Sequence, residues 1–139
     1  MSSIFSKIYN GEIPGHFVAK NNEFFAILDI SPLAIGHVLV VPVKEIDYLF
    51  DLEPEFLARY MQFSQQVAKA IMQVIDCKRI GVAVIGLEVP HAHIHLVPIN
   101  GVGDINFEKP KLTPSESTMT ETCRLISEAF TSLDQGSEI

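Results

Sequence analysis

The chain has 139 residues, of which 47% are apolar and 19% are charged, and its formal net charge is −7. This composition indicates one folded domain over residues 1–139 and excludes a disordered chain. The acidic balance argues against a nucleic-acid-binding protein, which needs a basic face. A few donors and a helix N-terminus can still hold one small anion, such as a phosphate.

The first half of the chain predicts a short helix followed by three strands. Residues 3–10 form the helix, which Ser3 caps and Gly11 ends. Strand-like runs cover residues 17–20, 24–30 and 37–42, and the last run is apolar enough for a central strand.

A long amphipathic helix follows these strands. It begins near Pro54, a residue suited to the first helical turn, and repeats apolar residues at three- and four-residue steps as far as Ile75. The positive charges of Lys78 and Arg79 are expected to close it. Residues 80–85 then predict a further strand.

The C-terminal part predicts a loop to about residue 112 and a last helix. The segment 113–116 matches a capping box led by Thr113, and the apolar stripe ends at Leu133. The tail 134–139 is expected to fray. Several strands flank one long helix without strict β-α-β alternation, which predicts an α+β fold with a largely antiparallel sheet.

Three other features have simple expected interpretations. Cys77 and Cys123 are expected to be small buried hydrophobes rather than a disulfide, and His16 a surface residue beside a turn. Residues 1–7 lack the pattern of a signal peptide, and no apolar run approaches the roughly 20 residues of a membrane span. We therefore expect a cytoplasmic protein without membrane contact.

The most informative feature is a row of three histidines at alternate positions in residues 89–98. Side chains two apart on a strand share a face, so His91, His93 and His95 are expected on one side. The other side is filled by Ala92, Ile94 and Leu96.

Three interpretations compete for this row. The imidazoles can be core residues satisfied by hydrogen bonds, or ligands of a metal ion, although nothing near them completes a ligand set. The third is phosphoryl or nucleotidyl transfer, in which one neutral imidazole attacks phosphorus while its neighbours donate hydrogen bonds to the phosphate.

The segment from His91 to Val97 resembles the histidine-triad (HIT) motif, in which three histidines alternate with apolar residues. Segments 4–8, 11–14, 28–32 and 36–42 look like the other HIT blocks, in the same order. The resemblance covers about residues 3–99. It implies the HIT fold, a five-stranded antiparallel sheet with helices, and a homodimer formed through the long helix and an edge strand. The extension of about residues 100–139 falls outside it.

The resemblance also implies a nucleotide-binding hydrolase or transferase that acts at the α-phosphate. His93 would be the nucleophile, His91 and His95 would hydrogen-bond the phosphate and assist the leaving group, and His37 would lie beside the triad and support His91. Asp29 would bind the ribose, with a simple turn or cap residue as its alternative. The base would be enclosed by Phe5, Ile8, Ile27, Ile30 and Leu39, of which Ile8 and Leu39 are equally well ordinary core residues. Apart from the resemblance, the attack builds negative charge on the phosphate oxygens, and we expect backbone N–H groups around Glu88 to His91, which include that of Val89, and a protonated neighbour to stabilise it.

The sequence departs from the family pattern in the leaving-group region. Ile80 and Leu87 stand where many relatives carry an amide, and an anionic Glu88 disfavours a polyphosphate leaving group. These differences favour phosphoramidate-like substrates over dinucleoside polyphosphates, and they leave open a nucleotide-binding or interaction protein with little turnover. Ser3 and Ser6 occupy the positions of a zinc-binding Cys-X-X-Cys pair, so no structural zinc is expected. The expected ligand is a purine nucleotide, with no cofactor.

Overall fold

Five strands form one antiparallel sheet, in which the strands, counted along the chain, lie side by side in the order 1-2-3-5-4. The computed structural model describes residues 2–136. Its strands are β1 (Phe17–Lys20), β2 (Phe24–Leu28), β3 (Val38–Pro42), β4 (Arg79–Ala83) and β5 (Ile94–Ile99). Its helices are α1 (Ile4–Tyr9), α2 (Pro54–Val74) and α3 (Glu116–Gly136), with single 3-10 turns at Leu49–Asp51 and Val102–Asp104. The predicted α+β fold with a five-stranded antiparallel sheet is confirmed.

One face of the sheet packs against α2 and α3 and forms the larger core. Val38 and Val40 of β3 and Ile94 and Leu96 of β5 point into it, because these residues pair across the two strands. Tyr60 of α2 is fully buried there, and its hydroxyl donates a hydrogen bond to the Val40 carbonyl at 2.5 Å. A buried phenol needs such an acceptor, and this bond fixes α2 against the centre of the sheet.

The opposite face carries the smaller core and α1. Leu39 pairs with His95 and with Ile27, so these three side chains share this face. Phe5 and Ile8 of α1 pack onto the same cluster and are buried. The strand register therefore places the histidine row under the N-terminal helix.

The histidine strand is shorter than predicted, because β5 begins at Ile94. The backbone before it bonds outside the sheet. His91 N–H donates to the Val89 carbonyl, and Ala92 N–H donates to the Ile46 carbonyl. His91 therefore lies at a bend and His93 in the irregular segment that leads into β5, and only His95 belongs to the strand.

Several predicted boundaries also shift. The prediction that Lys78 and Arg79 close the long helix is wrong, since α2 is capped at Ile75 and Arg79 opens β4. The Lys78 N–H instead donates to the Asn100 side chain at 2.9 Å. β2 ends two residues before Ile30, β3 begins after His37, and β4 ends at Ala83.

The last helix begins later than the capping-box match suggested. The Ser115 hydroxyl accepts the Thr118 N–H at 3.1 Å, so Ser115 caps α3 in place of Thr113. Residues 134–136 are helical rather than frayed, and residues 137–139 lie outside the described residues. His16 was predicted to be a surface residue; it is half-buried, and its Nε2 lies 3.4 Å from an oxygen of the exposed Glu116.

Both cysteines are free thiols of intermediate exposure, so they are less buried than predicted. The Cys123 thiol donates to the Phe17 carbonyl at 3.1 Å and ties α3 to β1. Within residues 2–136 no helix combines the length and the apolar character that crossing a bilayer requires.

Candidate active site

A cleft of about 410 Å³ opens beside the histidine row. Its walls come from four parts of the chain: Asp29 and Ser31 after β2, residues 85–89, the two histidines His93 and His95, and a pair of residues from the C-terminal extension. The volume falls within the usual range for small-molecule sites.

The ring of His93 is oriented by the backbone of the same segment. Its Nδ1 lies 2.8 Å from the His91 carbonyl oxygen. A carbonyl oxygen only accepts, so Nδ1 carries the proton and Nε2 carries the lone pair. Among the described residues no fully buried side-chain nitrogen lacks a hydrogen-bond partner, so this unpaired Nε2 reaches the cleft. His93 therefore presents an imidazole lone pair to the cleft.

A chain of three groups fixes the proton of His95. The Leu33 N–H donates to His37 Nδ1 at 3.0 Å, which forces the His37 proton onto Nε2. That proton then points at His95 Nδ1, 3.0 Å away. His95 must therefore carry its own proton on Nε2, which faces the cleft as a donor.

Burial keeps both members of this pair neutral. Desolvation, followed by repulsion from His95 and Lys111, lowers the pKa of His37 to about 3. Desolvation, followed by repulsion from His93 and Lys111, lowers the pKa of His95 to about 4. A chain of neutral donors and acceptors is the state expected at neutral pH.

His37 supports His95, whereas the sequence pointed to His91. His37 lies two residues before Leu39 and shares its face of the sheet, and Leu39 is the direct partner of His95. The turn before His37 depends on Gly36, whose φ is +98° and whose missing Cβ would lie 2.9 Å from an Ile75 carbon. Only glycine adopts this conformation in so little space without strain.

The His91 ring takes no part in the cleft. Its Nε2 lies 2.7 Å from the Pro42 carbonyl and must donate to it, so its Nδ1 accepts the Ser3 hydroxyl proton at 2.6 Å. The ring is fully buried against Phe5, with both nitrogens occupied. This geometry does not fit the predicted hydrogen bond from the His91 side chain to a phosphate, and His91 contributes its carbonyl to His93 instead.

The Ser3 hydroxyl belongs to a cluster that sequence reasoning missed. One carboxylate oxygen of Glu45 accepts the Ser3 backbone N–H and the Ser6 hydroxyl, each at 2.6 Å. The Ser3 hydroxyl also accepts the Ser6 N–H at 3.1 Å and so caps α1. Glu45 lies in a loop 39 to 42 residues away from these serines, and no local pattern in the sequence marks it.

Asp29 lines the cleft. Two roles were predicted for it, a ribose ligand and a turn residue, and it has features of both. Its Oδ1 accepts the Ser31 N–H at 2.9 Å, as a turn residue does. Its Oδ2 lies 3.6 Å from His37 Nε2, and the residue forms part of the cleft wall. Desolvation raises the pKa of the Asp29 carboxyl.

The apolar residues expected around a base lie beside the row, outside the cleft wall. Four of them are buried in the smaller core: Phe5, Ile8, Ile27 and Leu39. Ile30 is 75% exposed. Glu88 and Val89 do line the cleft. Ordinary core packing thus accounts for the four buried residues, and their contact with a base stays a prediction.

Phe107 and Lys111 were not singled out by the sequence, yet both line the cleft. The Phe107 ring packs edge-on against His95, with 4.6 Å between ring centroids. The only signal was an aromatic and a basic residue in the loop after Asn100, which is common in surface loops.

The family is decided by residues 10–101, which match the HIT domain and make up more than half of the chain. The chain belongs to the HIT family. The adenosine 5′-monophosphoramidase of Saccharomyces cerevisiae is 34% identical over 96 residues, which cover 68% of this chain and 61% of that protein. An uncharacterized HIT-like protein of Mycobacterium tuberculosis is 27% identical over 143 residues and covers 99% of both chains.

The three-dimensional structure gives the same result. A Zn-bound histidine triad family protein from Mycobacterium smegmatis superposes with a TM-score of 0.83 at 28% identity, and the alignment covers 98% of each chain. That HIT protein shares the whole architecture, including the region beyond residue 101 that the domain match leaves out.

Two places in this HIT chain bear on metal binding. Ser3 and Ser6 are engaged in hydrogen bonds and offer no thiolate, so they do not fit a cysteine-ligated zinc. Asp29, His37 and His95 each offer a ligand atom, and these atoms lie within 4.8 Å of one another. An ion bound there would have to replace the proton between His37 and His95, and with it the donor chain.

Proposed function

We propose that this HIT protein is a nucleotidyl hydrolase or transferase that cleaves a nucleoside phosphoramidate, or a related purine nucleotide, at the α-phosphate. The observation that carries the proposal is the bond from His93 Nδ1 to the His91 carbonyl, which leaves Nε2 as a nucleophile at the cleft. Family membership and the phosphoramidase activity named for the yeast relative support a HIT-type nucleotide hydrolase.

In the first step His93 Nε2 attacks the α-phosphorus. A nitrogen–phosphorus bond forms, the bond to the leaving amine breaks, and the amine takes one proton from solvent. The His93 ring becomes cationic, so its Nδ1–H bond to the His91 carbonyl strengthens as charge develops. His91 thus acts as a positioning residue through its backbone.

His95 donates from Nε2 to the phosphate or to the leaving atom. His37 already directs a proton at His95 Nδ1, so His95 cannot hold a second proton there and acts as a neutral donor. Asp29 is placed to accept ribose hydroxyls through the oxygen that faces the cleft. In the second step water attacks phosphorus, its proton returns to solvent, and the bond to His93 breaks.

The part of the cleft wall that Leu87 and Glu88 form favours an amine leaving group. Leu87 is 88% exposed and offers no hydrogen bond, and Glu88 adds a negative charge to the cleft. Ile80 packs against the larger core. We therefore expect an adenosine phosphoramidate to be cleaved faster than diadenosine tetraphosphate, and a strong preference for the polyphosphate would contradict this substrate class.

The test is direct trapping of the intermediate. Protein quenched during turnover is digested and measured by mass spectrometry, and a nucleotide-sized adduct is expected on the peptide that carries His93. His93→Asn should abolish turnover and the adduct while nucleotide affinity stays within about tenfold, because one uncharged contact is lost. Full turnover by this variant would overturn the assignment.

A second candidate is a nucleotide-binding protein with little turnover. The lack of amide side chains at Ile80 and Leu87 favours it, because those positions then contribute no hydrogen bond to a leaving group. The rate measured on purified protein separates the two candidates. A metal-dependent enzyme is the third, and full activity in the presence of a chelator would dismiss it.

The predicted homodimer is part of the same proposal. β4 is an edge strand and carries exposed Val82, and α2 carries exposed Met61 and Met72. Apolar side chains on an open edge and on a helix are typical of an interface. Light scattering should give twice the monomer mass. The cytoplasmic location stays a prediction.

A further inference from the structure

We propose that Lys111, contributed by the C-terminal extension, binds negative charge on the leaving group and so sets substrate preference. This inference rests on the proposed function, because it assigns the leaving-group side of the same cleft. It concerns a segment that lies beyond the HIT domain match at residues 10–101.

The position of Lys111 is fixed by the residue that packs on His95. The Lys111 Nζ donates to the Phe107 carbonyl at 2.5 Å, and the Phe107 ring lies against His95. Both residues line the cleft. The ammonium group therefore belongs to the same part of the cleft wall as the residue that packs on the proposed hydrogen-bond donor, and its charge acts on both His95 and Asp29.

The Lys111 ammonium group differs in charge from the acidic side chains of the cleft. Asp29 and Glu88 are the acidic groups of the described lining, and Lys111 is the only lysine or arginine among those residues. The extension thus brings a cation into a cleft that is otherwise acidic, in a chain of net charge −7. The charge of Lys111 acts on His95. After burial and the effect of His93, it is the third cause that lowers the pKa of His95.

The chemistry that Lys111 recognises is an anionic oxygen, from either a carboxylate or a phosphate. The Lys111 ammonium group donates to the Phe107 carbonyl and, at 3.3 Å, to the Lys109 carbonyl, so it keeps one further donor for an anion. A leaving group that carries such an anion gains a charge-assisted hydrogen bond, whereas a neutral leaving group gains none.

The first arm of the test measures binding without turnover. The affinities of AMP and ADP are compared by calorimetry, because ADP adds one phosphate on the leaving-group side. Whatever ratio of ADP to AMP affinity the wild-type protein has, Lys111→Met should reduce it about five- to tenfold, whereas Lys111→Arg retains it. Lys109→Met is the matched control, since the Lys109 Nζ donates to the Gly103 carbonyl and does not line the cleft.

The second arm measures turnover of two AMP phosphoramidates whose amines differ only in a carboxylate or its amide. Lys111→Met should lower kcat/KM for the carboxylate compound selectively. If Lys111→Met changes the ratio only in the binding arm, the recognised anion is a phosphate. If it changes the ratio only in the turnover arm, the anion is a carboxylate. Unchanged ratios in both arms overturn the inference, even if the neutral compound is cleaved normally. Absence of any turnover contradicts the proposed function, and the binding arm then decides on Lys111 alone.

Discussion

Replacement of His37 by leucine tests whether the donor chain controls catalysis. His37 is almost fully buried, and it alone connects the Leu33 N–H to His95 Nδ1. Leucine fills the space but neither accepts nor donates. His95 is then free to carry its proton on Nδ1, in which case it presents a lone pair to the cleft where a donor is required.

The expected loss follows from the value of one hydrogen bond to a charged group. Such a bond contributes about 1.5–3 kcal/mol, which corresponds to a fall of roughly 10- to 100-fold in kcat. The buried Leu33 N–H also loses its acceptor, so unfolding should become easier by about 1–3 kcal/mol. His37→Gln is the matched control, because an amide accepts from Leu33 and donates to His95 and should recover most of both losses.

The assay combines steady-state cleavage of an adenosine phosphoramidate with nitrogen NMR of the His95 ring and urea unfolding. Wild-type His95 should show a protonated Nε2 and an unprotonated Nδ1, and His37→Leu should show a mixture. A purely structural role would change the unfolding curve but not the tautomer. The reasoning is refuted if folded His37→Leu keeps the wild-type kcat and a protonated Nε2 on His95.

Three further outcomes are expected. Ser3→Ala should lower the unfolding free energy by roughly 2 kcal/mol in urea, because the substitution removes a helix cap and the hydroxyl that donates to the buried His91 ring, and Ser6→Ala should cost less. Gly36→Ala should cost about 1–2 kcal/mol and also lower turnover, measured on the same preparation, since its φ of +98° and the contact with Ile75 leave no room for Cβ. The lowered pKa values of His37 and His95, about 3 and 4, mean that only the unfolded chain takes up protons just below pH 6.5. Stability should therefore be nearly complete from about one pH unit above that value and roughly 3 kcal/mol lower at about pH 5.5, and a flat pH profile of the unfolding free energy would contradict this.

The sequence predicted the sheet and the helices because apolar periodicity reports directly which face of an element is buried. It also placed Asp29, His93 and His95 at one site, through the motif and its companion segments. The same information could not show how the histidines share their protons. That depends on backbone carbonyls and N–H groups, such as those of His91 and Leu33, which every residue has.

Contacts between distant segments were equally hidden. Glu45 reaches α1 from the loop after β3, and Lys111 enters the cleft from a loop without periodicity. No pattern of neighbouring residues marks either position, because the groups that each one contacts come close only when the chain folds. The strand of three histidines was wrong for a related reason, since the pattern fits an extended segment whether or not it pairs in the sheet.

The three histidines belong to two separate hydrogen-bond networks. The first orients His93, and the second orients the proton of His95. One runs from Glu45 through Ser3 to the buried His91, whose carbonyl orients the nucleophile. The other runs from the Leu33 N–H through His37 to His95. The two networks share no hydrogen bond, so the effects of Ser3→Ala and His37→Leu on kcat should add in free energy to within about 0.5 kcal/mol. Strong coupling between them would mean that both act on one arrangement of the cleft, and that the tautomer of His95 depends on α1 as well as on His37.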